Sequence, residues 1–152
     1  MKILEKQNAL LSNYEVYQHL VDQQKRNKTQ KKKVPGNLAT VTDEVIAYLQ
    51  TKPSPLADQG KNHVYDQTTF QRLLDRIRDA HFKTELVQAE VLMILNLRPS
   101  SIAQLAAILE DAEERLSEDE QNKLLDIIGD VLGRDETTEN GDQAIESVEN
   151  GN

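Results

Sequence analysis

Three histidines, His19, His63 and His81, are the residues of this chain best suited to acid–base work or to holding a metal. They lie far apart, without the spacing of an HExxH pair. No cysteine is present to complete a site or to act as a nucleophile. Carboxylates crowd the stretches Glu110 to Glu114 and Glu118 to Glu120. Paired catalytic acids need burial or a close partner to separate their pKa values. These acids fall instead on expected exposed faces and helix N-termini, where they cap, complement the helix dipole and aid solubility. There is no GxxxxGK[ST] and no GxGxxG, so no phosphate cradle is expected. The sequence predicts no catalytic residue, no metal site and no cofactor.

Two other groups invite a binding role. Lys25, Arg26, Lys28, Lys31, Lys32 and Lys33 form a basic run closed by Pro35-Gly36. It reads either as a solvated loop or as a contact for nucleic acid or an acidic protein. No aromatic is interleaved with the lysines, so bases have no stacking platform there. The net charge of −8 also argues against indiscriminate nucleic-acid binding by the whole surface. The second group is a stripe of Tyr14, Tyr17 and Val21, with Val16 and Leu20 beside it. It would pack on a neighbouring helix of the same chain or form a face for a partner.

The elements that would position these groups read as helices. At 152 residues the chain suits one domain, or a small domain with extensions. Aromatics are 4% and tryptophan is absent, so the core must be mostly Leu, Ile, Val and Ala. A mean hydropathy of −0.64 is low for a chain packed throughout, so part of it is expected to be unfolded or to need a partner. No apolar run approaches the ~20 residues that span a membrane, and no secretory hydrophobic region opens the chain. The expectation is a soluble intracellular protein without membrane contact.

Met1 to Leu11 is a short apolar leader with Ile3, Leu4 and Leu11, suited to a strand or an extended arm. Ser12 and Glu15 form a capping box that opens a first helix, expected to end near Lys25. Residues 25–37 read as a loop. Leu38 to Gln50 is amphipathic. Residues 52–65, with two prolines and a glycine, read as a linker. Asp66 or Thr68 is placed to cap a helix with Phe70, Leu73, Leu74 and Ile77 inside. Val91 to Leu95 is apolar on every side and predicts a helix buried all round. Arg98-Pro99-Ser100-Ser101 breaks it. Ile102, Leu105, Ala106 and Leu109 then mark a helix whose charged end, Glu110 to Arg115, stays in water. Ser117 and Glu120 are a second capping box, before a face of Leu124, Leu125, Ile128, Val131 and Leu132. Gly133 is placed as a left-handed stop. From Arg134 the tail is acidic and aperiodic, and is expected to be disordered. The expected fold is all-α, with about six helices. A partner-binding arm spans 1–51, a linker 52–65, a compact helical unit 66–133 and a tail 134–152. The arm has two apolar helix faces and too small a core to cover them, so a second chain is expected to do so.

Several strings together resemble the small stalk subunits of RNA polymerases, a family with pol III, pol II and archaeal members. These are Met1-Lys2-Ile3-Leu4-Glu5, Leu11-Ser12-Asn13-Tyr14-Glu15-Val16, the run Ala89 to Ser101 and Glu113-Glu114-Arg115-Leu116. The match is strongest to the pol III form and covers about residues 1–133. Members often carry Leu-Thr where this chain has Leu86-Val87. The resemblance implies an N-terminal arm followed by an HRDC-like helical domain. It implies a stalk heterodimer with a larger OB-fold subunit, held on the polymerase core in the nucleus. It also implies contacts with initiation factors, and a weak contact with nascent RNA. The subunit itself would not be an enzyme. Under this reading the partner-binding residues are Ile3, Leu4, Leu11, Tyr14, Tyr17, Leu20 and Val21. The alternative is a free-standing HRDC-like module that binds nucleic acid.

Overall fold

The computed structural model describes residues 9–59 and 65–134. Ile3, Leu4, His63 and the acidic tail beyond Arg134 lie outside them. Seven α-helices fall wholly within the described residues, and no strand does, so the chain is all-α. The helices are α1 (Asn13–Thr29), α2 (Gly36–Leu49), α3 (Thr69–Asp79), α4 (Gln88–Leu97), α5 (Ile102–Ala106), α6 (Ala112–Arg115) and α7 (Glu118–Leu132). A 3-10 turn, Pro55–Asp58, follows α2. Two compact units emerge. Of the described residues, the first takes those up to Asp66 together with Leu95–Leu97, and the second takes Gln67–Ile94 and those from Arg98 to Arg134.

In the first unit, the Ser12 hydroxyl accepts from the Glu15 amide at 3.2 Å and the Glu15 carboxylate accepts from the Ser12 amide at 2.7 Å. This is the expected capping box, and Ser12 is buried in it. Ser12→Ala should therefore cost about 1 kcal/mol. The measure is amide exchange, which should quicken about fivefold along α1; unchanged rates would deny the cap its role.

Helix α1 does not end near Lys25 as expected but runs to Thr29. Lysine and arginine are good helix formers, and cations in the last turn suit the negative end of the dipole. The basic run is thus half helix and half loop. Its turn is a Schellman motif: Lys32 N–H donates to the Asn27 carbonyl at 3.0 Å and Lys31 N–H to the Lys28 carbonyl at 3.2 Å. Lys31 sits at φ 50° in the position that usually holds glycine. The chain then turns back into α2, and the two helices pack as an antiparallel pair. Gln24 Nε2 donates to Asp43 Oδ1 at 2.6 Å near the turn, and Gln50 Nε2 to the Tyr17 hydroxyl at 2.9 Å at the far end.

Beyond α2, the Ser54 hydroxyl accepts from the Leu56 amide and Leu56 is buried. Gln59 Oε1 accepts from the Tyr65 amide at 2.9 Å. The Tyr65 hydroxyl donates to the Leu95 carbonyl at 2.9 Å, and the Asn13 amide to Asn96 Oδ1 at 2.8 Å.

In the second unit, Leu73, Val91, Ile94, Leu105, Leu109, Leu116, Leu124, Ile128 and Leu132 form the core. Helix α3 packs along α7, and α5 packs on α6 and α7. Thr68 stands at the N-cap of α3 without a side-chain capping bond. Helix α4 is not buried all round. Ile94 is fully enclosed, but Met93 is 45% exposed. At its start Val87 has no capping oxygen, and the Glu90 carboxylate instead accepts from the Val87 amide at 2.9 Å.

Arg98 ends α4 in the left-handed region, φ 47° and ψ 65°. Its Nη1 donates to the Leu132 carbonyl at 3.4 Å, at the end of α7. Ser101 caps α5 by accepting from the Gln104 amide. The helix expected to run from Ile102 into the charged stretch is two helices. Helix α5 ends at Ala106, and Asp111 turns through φ 51° before α6. The charged end does not all stay in water either. Arg115 grips Glu90, which is buried, through Nη1 to Oε1 at 2.5 Å and Nη2 to Oε2 at 3.1 Å. The Ser117 box opens α7 as expected. Gly133 has the positive φ of a stop, 80°, but with an extended ψ of 158°.

Candidate partner-binding surface

Helix α2 has a wide apolar arc. Ala39, Thr42, Ile46 and Leu49 lie on one side of it, and Leu38, Val41, Val45 and Tyr48 recur at i, i+3, i+7 and i+10 on the other. The arc exceeds the ~100° stripe that one packed neighbour occupies. Leu49 is buried, whereas Leu38, Val41 and Tyr48 are 50%, 55% and 77% exposed. A tyrosine and two aliphatics in a row along one helix face make a surface of the kind that partner helices or sheets cover. Just before α1, Leu10 and Leu11 are exposed as well.

Of the residues the sequence singles out, Leu11 lies in the open and Tyr14, Tyr17, Leu20 and Val21 are half-buried. Tyr14 is tilted against Tyr65, with ring centroids 6.2 Å apart. Burial, and then the charges of Asp66 and Asp22, raise its hydroxyl above the usual tyrosine value. The Tyr17 hydroxyl is held by Gln50. The tyrosine stripe is therefore partly engaged within its own unit, and the more open apolar face is on α2. In the sequence, Leu38, Val41 and Tyr48 belong to an apolar arm helix that a second chain is expected to cover, but none of them is among the partner-binding residues named there. The signal was available in the width of the arc, which no single neighbour would cover.

Among the described residues, no three His, Cys, Asp or Glu side chains gather as metal ligands. Among the described residues, no helix is long and apolar enough to cross a membrane. His19 is exposed, and His81 Nδ1 lies 2.7 Å from the Asp79 carbonyl in a turn.

An all-α chain with a well-filled second unit and an open apolar helix face in the first has the build of an interaction subunit. Comparison with known proteins gives the class: residues 10–132 match the family RNA polymerase Rpb4, and the chain belongs to that family. It is 36% identical over 135 residues to the DNA-directed RNA polymerase III subunit rpc9 of Schizosaccharomyces pombe, covering 84% of this chain and 96% of that one. It is 27% identical over 161 aligned positions to the DNA-directed RNA polymerase III subunit RPC9 of Saccharomyces cerevisiae, covering 84% and 98%.

Proposed function

We propose that this protein is a non-catalytic subunit of nuclear RNA polymerase III, paired in a stalk with a larger OB-fold subunit and supporting initiation through contacts with initiation factors. Membership of the Rpb4 family and the likeness to two RNA polymerase III subunits support the complex. The observation that carries the pairing is the open arc of α2. In this reading the arm, residues 1–51, holds the partner. Ile3, Leu4, Leu11, Tyr14, Tyr17, Leu20 and Val21 contribute from the leader and α1, and Val41 and Tyr48 from α2. Residues 66–133 form the HRDC-like domain, joined through 52–65.

Tyr48→Asp tests the pairing. The side chain is mostly solvated in the free chain, so the substitution leaves the fold intact. In a heterodimer it places a carboxylate in an apolar interface, costing about 2 kcal/mol or more. Co-expression with the OB-fold subunit and tandem purification should yield much less heterodimer than wild type, with an unchanged circular dichroism spectrum. Tyr17→Asp should also weaken pairing. Full recovery of the heterodimer by both variants would overturn the assignment. So would failure of the wild-type chain to co-purify with any polymerase subunit while binding oligonucleotides alone.

A further inference from the structure

The basic run has a part that pairing and helix capping do not use. Arg26 and Lys28 lie in the last turn of α1, where the helix dipole accounts for them. Lys31, Lys32 and Lys33 lie beyond the helix and gain little from it. All six cations are exposed, and none forms an ion pair among the described residues. Between the two helices at this end is an open cleft of about 470 Å³. Lys28, Lys31 and Lys32 stand on its rim, and Val34, Leu38 and Ala39 line it. The one carboxylate in the lining, Asp43, is occupied by Gln24. The chain accepts a left-handed lysine at this rim, where glycine would relieve the backbone.

We propose that this cleft binds an acidic peptide segment carrying an apolar side chain, which enters between α1 and α2 while its carboxylates meet Lys28, Lys31 and Lys32. Three observations choose this occupant. The rim is cationic without internal partners, so a polyanion is complementary. Val34, Leu38 and Ala39 give the otherwise polar lining an aliphatic patch, which suits a single leucine-like anchor. No aromatic lines the cleft, so a single-stranded nucleic acid finds no base to stack on. A net charge of −8 over the whole chain further disfavours a long polyanion while leaving room for a short one. This goes beyond the stalk pairing, which is assigned to the leader, to Tyr14, Tyr17, Leu20 and Val21 of α1 and to Val41 and Tyr48 of α2; of the open α2 face, Leu38 alone also lines the cleft.

The test uses the full chain and a fluorescent peptide of about 15 residues, rich in Asp and Glu with leucine at every fourth position. Two control probes are the same peptide with serine for leucine, and an oligouridine of similar charge. The leucine peptide should bind, weaken as salt rises, and bind at least about tenfold better than either control. Lys28→Glu with Lys32→Glu should weaken it by about tenfold or more. Lys31→Gly is the decisive variant, because it should raise the melting temperature of the chain while weakening the peptide several-fold. Both variants should pair normally with the OB-fold subunit. Equal binding of the serine peptide, tighter binding of the RNA, or no effect of Lys31→Gly would each overturn the proposal. Loss of pairing in the lysine variants would also overturn it, by making the cleft part of the stalk interface.

Discussion

Ile94→Ala is expected to destabilise the second unit by about 2–5 kcal/mol, the loss of burial plus the cavity left behind. Ile94 has no exposed surface and sits with Leu73, Leu105, Leu124 and Ile128 in one core. A small domain has only about 5–15 kcal/mol to lose. Denaturation of the full chain should therefore show an early transition in the second unit. The first unit is still expected to hold its partner at low temperature, so the heterodimer should form and then fail on warming. An unchanged denaturation curve would mean that this position is not core. Met93→Ala on the same helix is the internal control, since its side chain is half-exposed and should cost much less.

Arg115→Met should be nearly as damaging, at about 3 kcal/mol, for a different reason. It leaves the Glu90 carboxylate buried with its charge unmatched, and removing one member of such a pair costs more than removing both. The guanidinium also donates to the Glu110 and Glu85 carbonyls at 3.0 and 3.1 Å, so it fixes the chain on either side. Replacing both residues, Glu90→Gln with Arg115→Met, should recover part of the loss.

Acidity separates the single variant from wild type. In wild type the Arg115 hydrogen bond holds the Glu90 carboxyl below its ordinary pKa. The pair's contribution is therefore fully present above the ordinary carboxylate range, and is lost as pH falls through the lowered value. In Arg115→Met the carboxyl has no such partner, and protonating it relieves the buried charge. The stability gap between the two proteins should narrow on acidification. A gap independent of pH would show that the arginine acts only through its backbone contacts.

The parts of the fold legible in the sequence are those set by neighbours along the chain. Ser12 with Glu15, and Ser117 with Glu120, are capping boxes both by spacing and in the fold. The periodicity around Leu73 and along α7 points the correct faces inward. What was hidden depends on distance. Glu90 and Arg115 are twenty-five positions apart, with no spacing rule to join them, so Arg115 reads as solvent-facing and Glu90 is given no partner. The break between α5 and α6 was hidden because Leu109 keeps helical phase with Leu105 and is buried although the helix has stopped. The run Val91 to Leu95 was too short to separate a helix buried all round from one with an open side, which Met93 occupies. On the candidate surface, composition indicated an arm in need of a partner. Which of its two apolar helices stays open depends on how α1 and α2 pair, and that pairing leaves the α2 face the more exposed.

Position 98 asks for two different residues at once. Its backbone lies where glycine is at ease and an L side chain costs about 1–2 kcal/mol. Its side chain is buried, guanidinium Nε included, and reaches a terminal carbonyl of α7. That contact and burial are together worth a similar amount. Glycine at this site would relax one helix end and unfasten another, for little net change. A stability screen that scores positions one at a time would rank Arg98 as a neutral site. Its actual effect would be on cooperativity: with glycine there, the end of α7 should fray independently of the end of α4, where the native chain makes the two melt together.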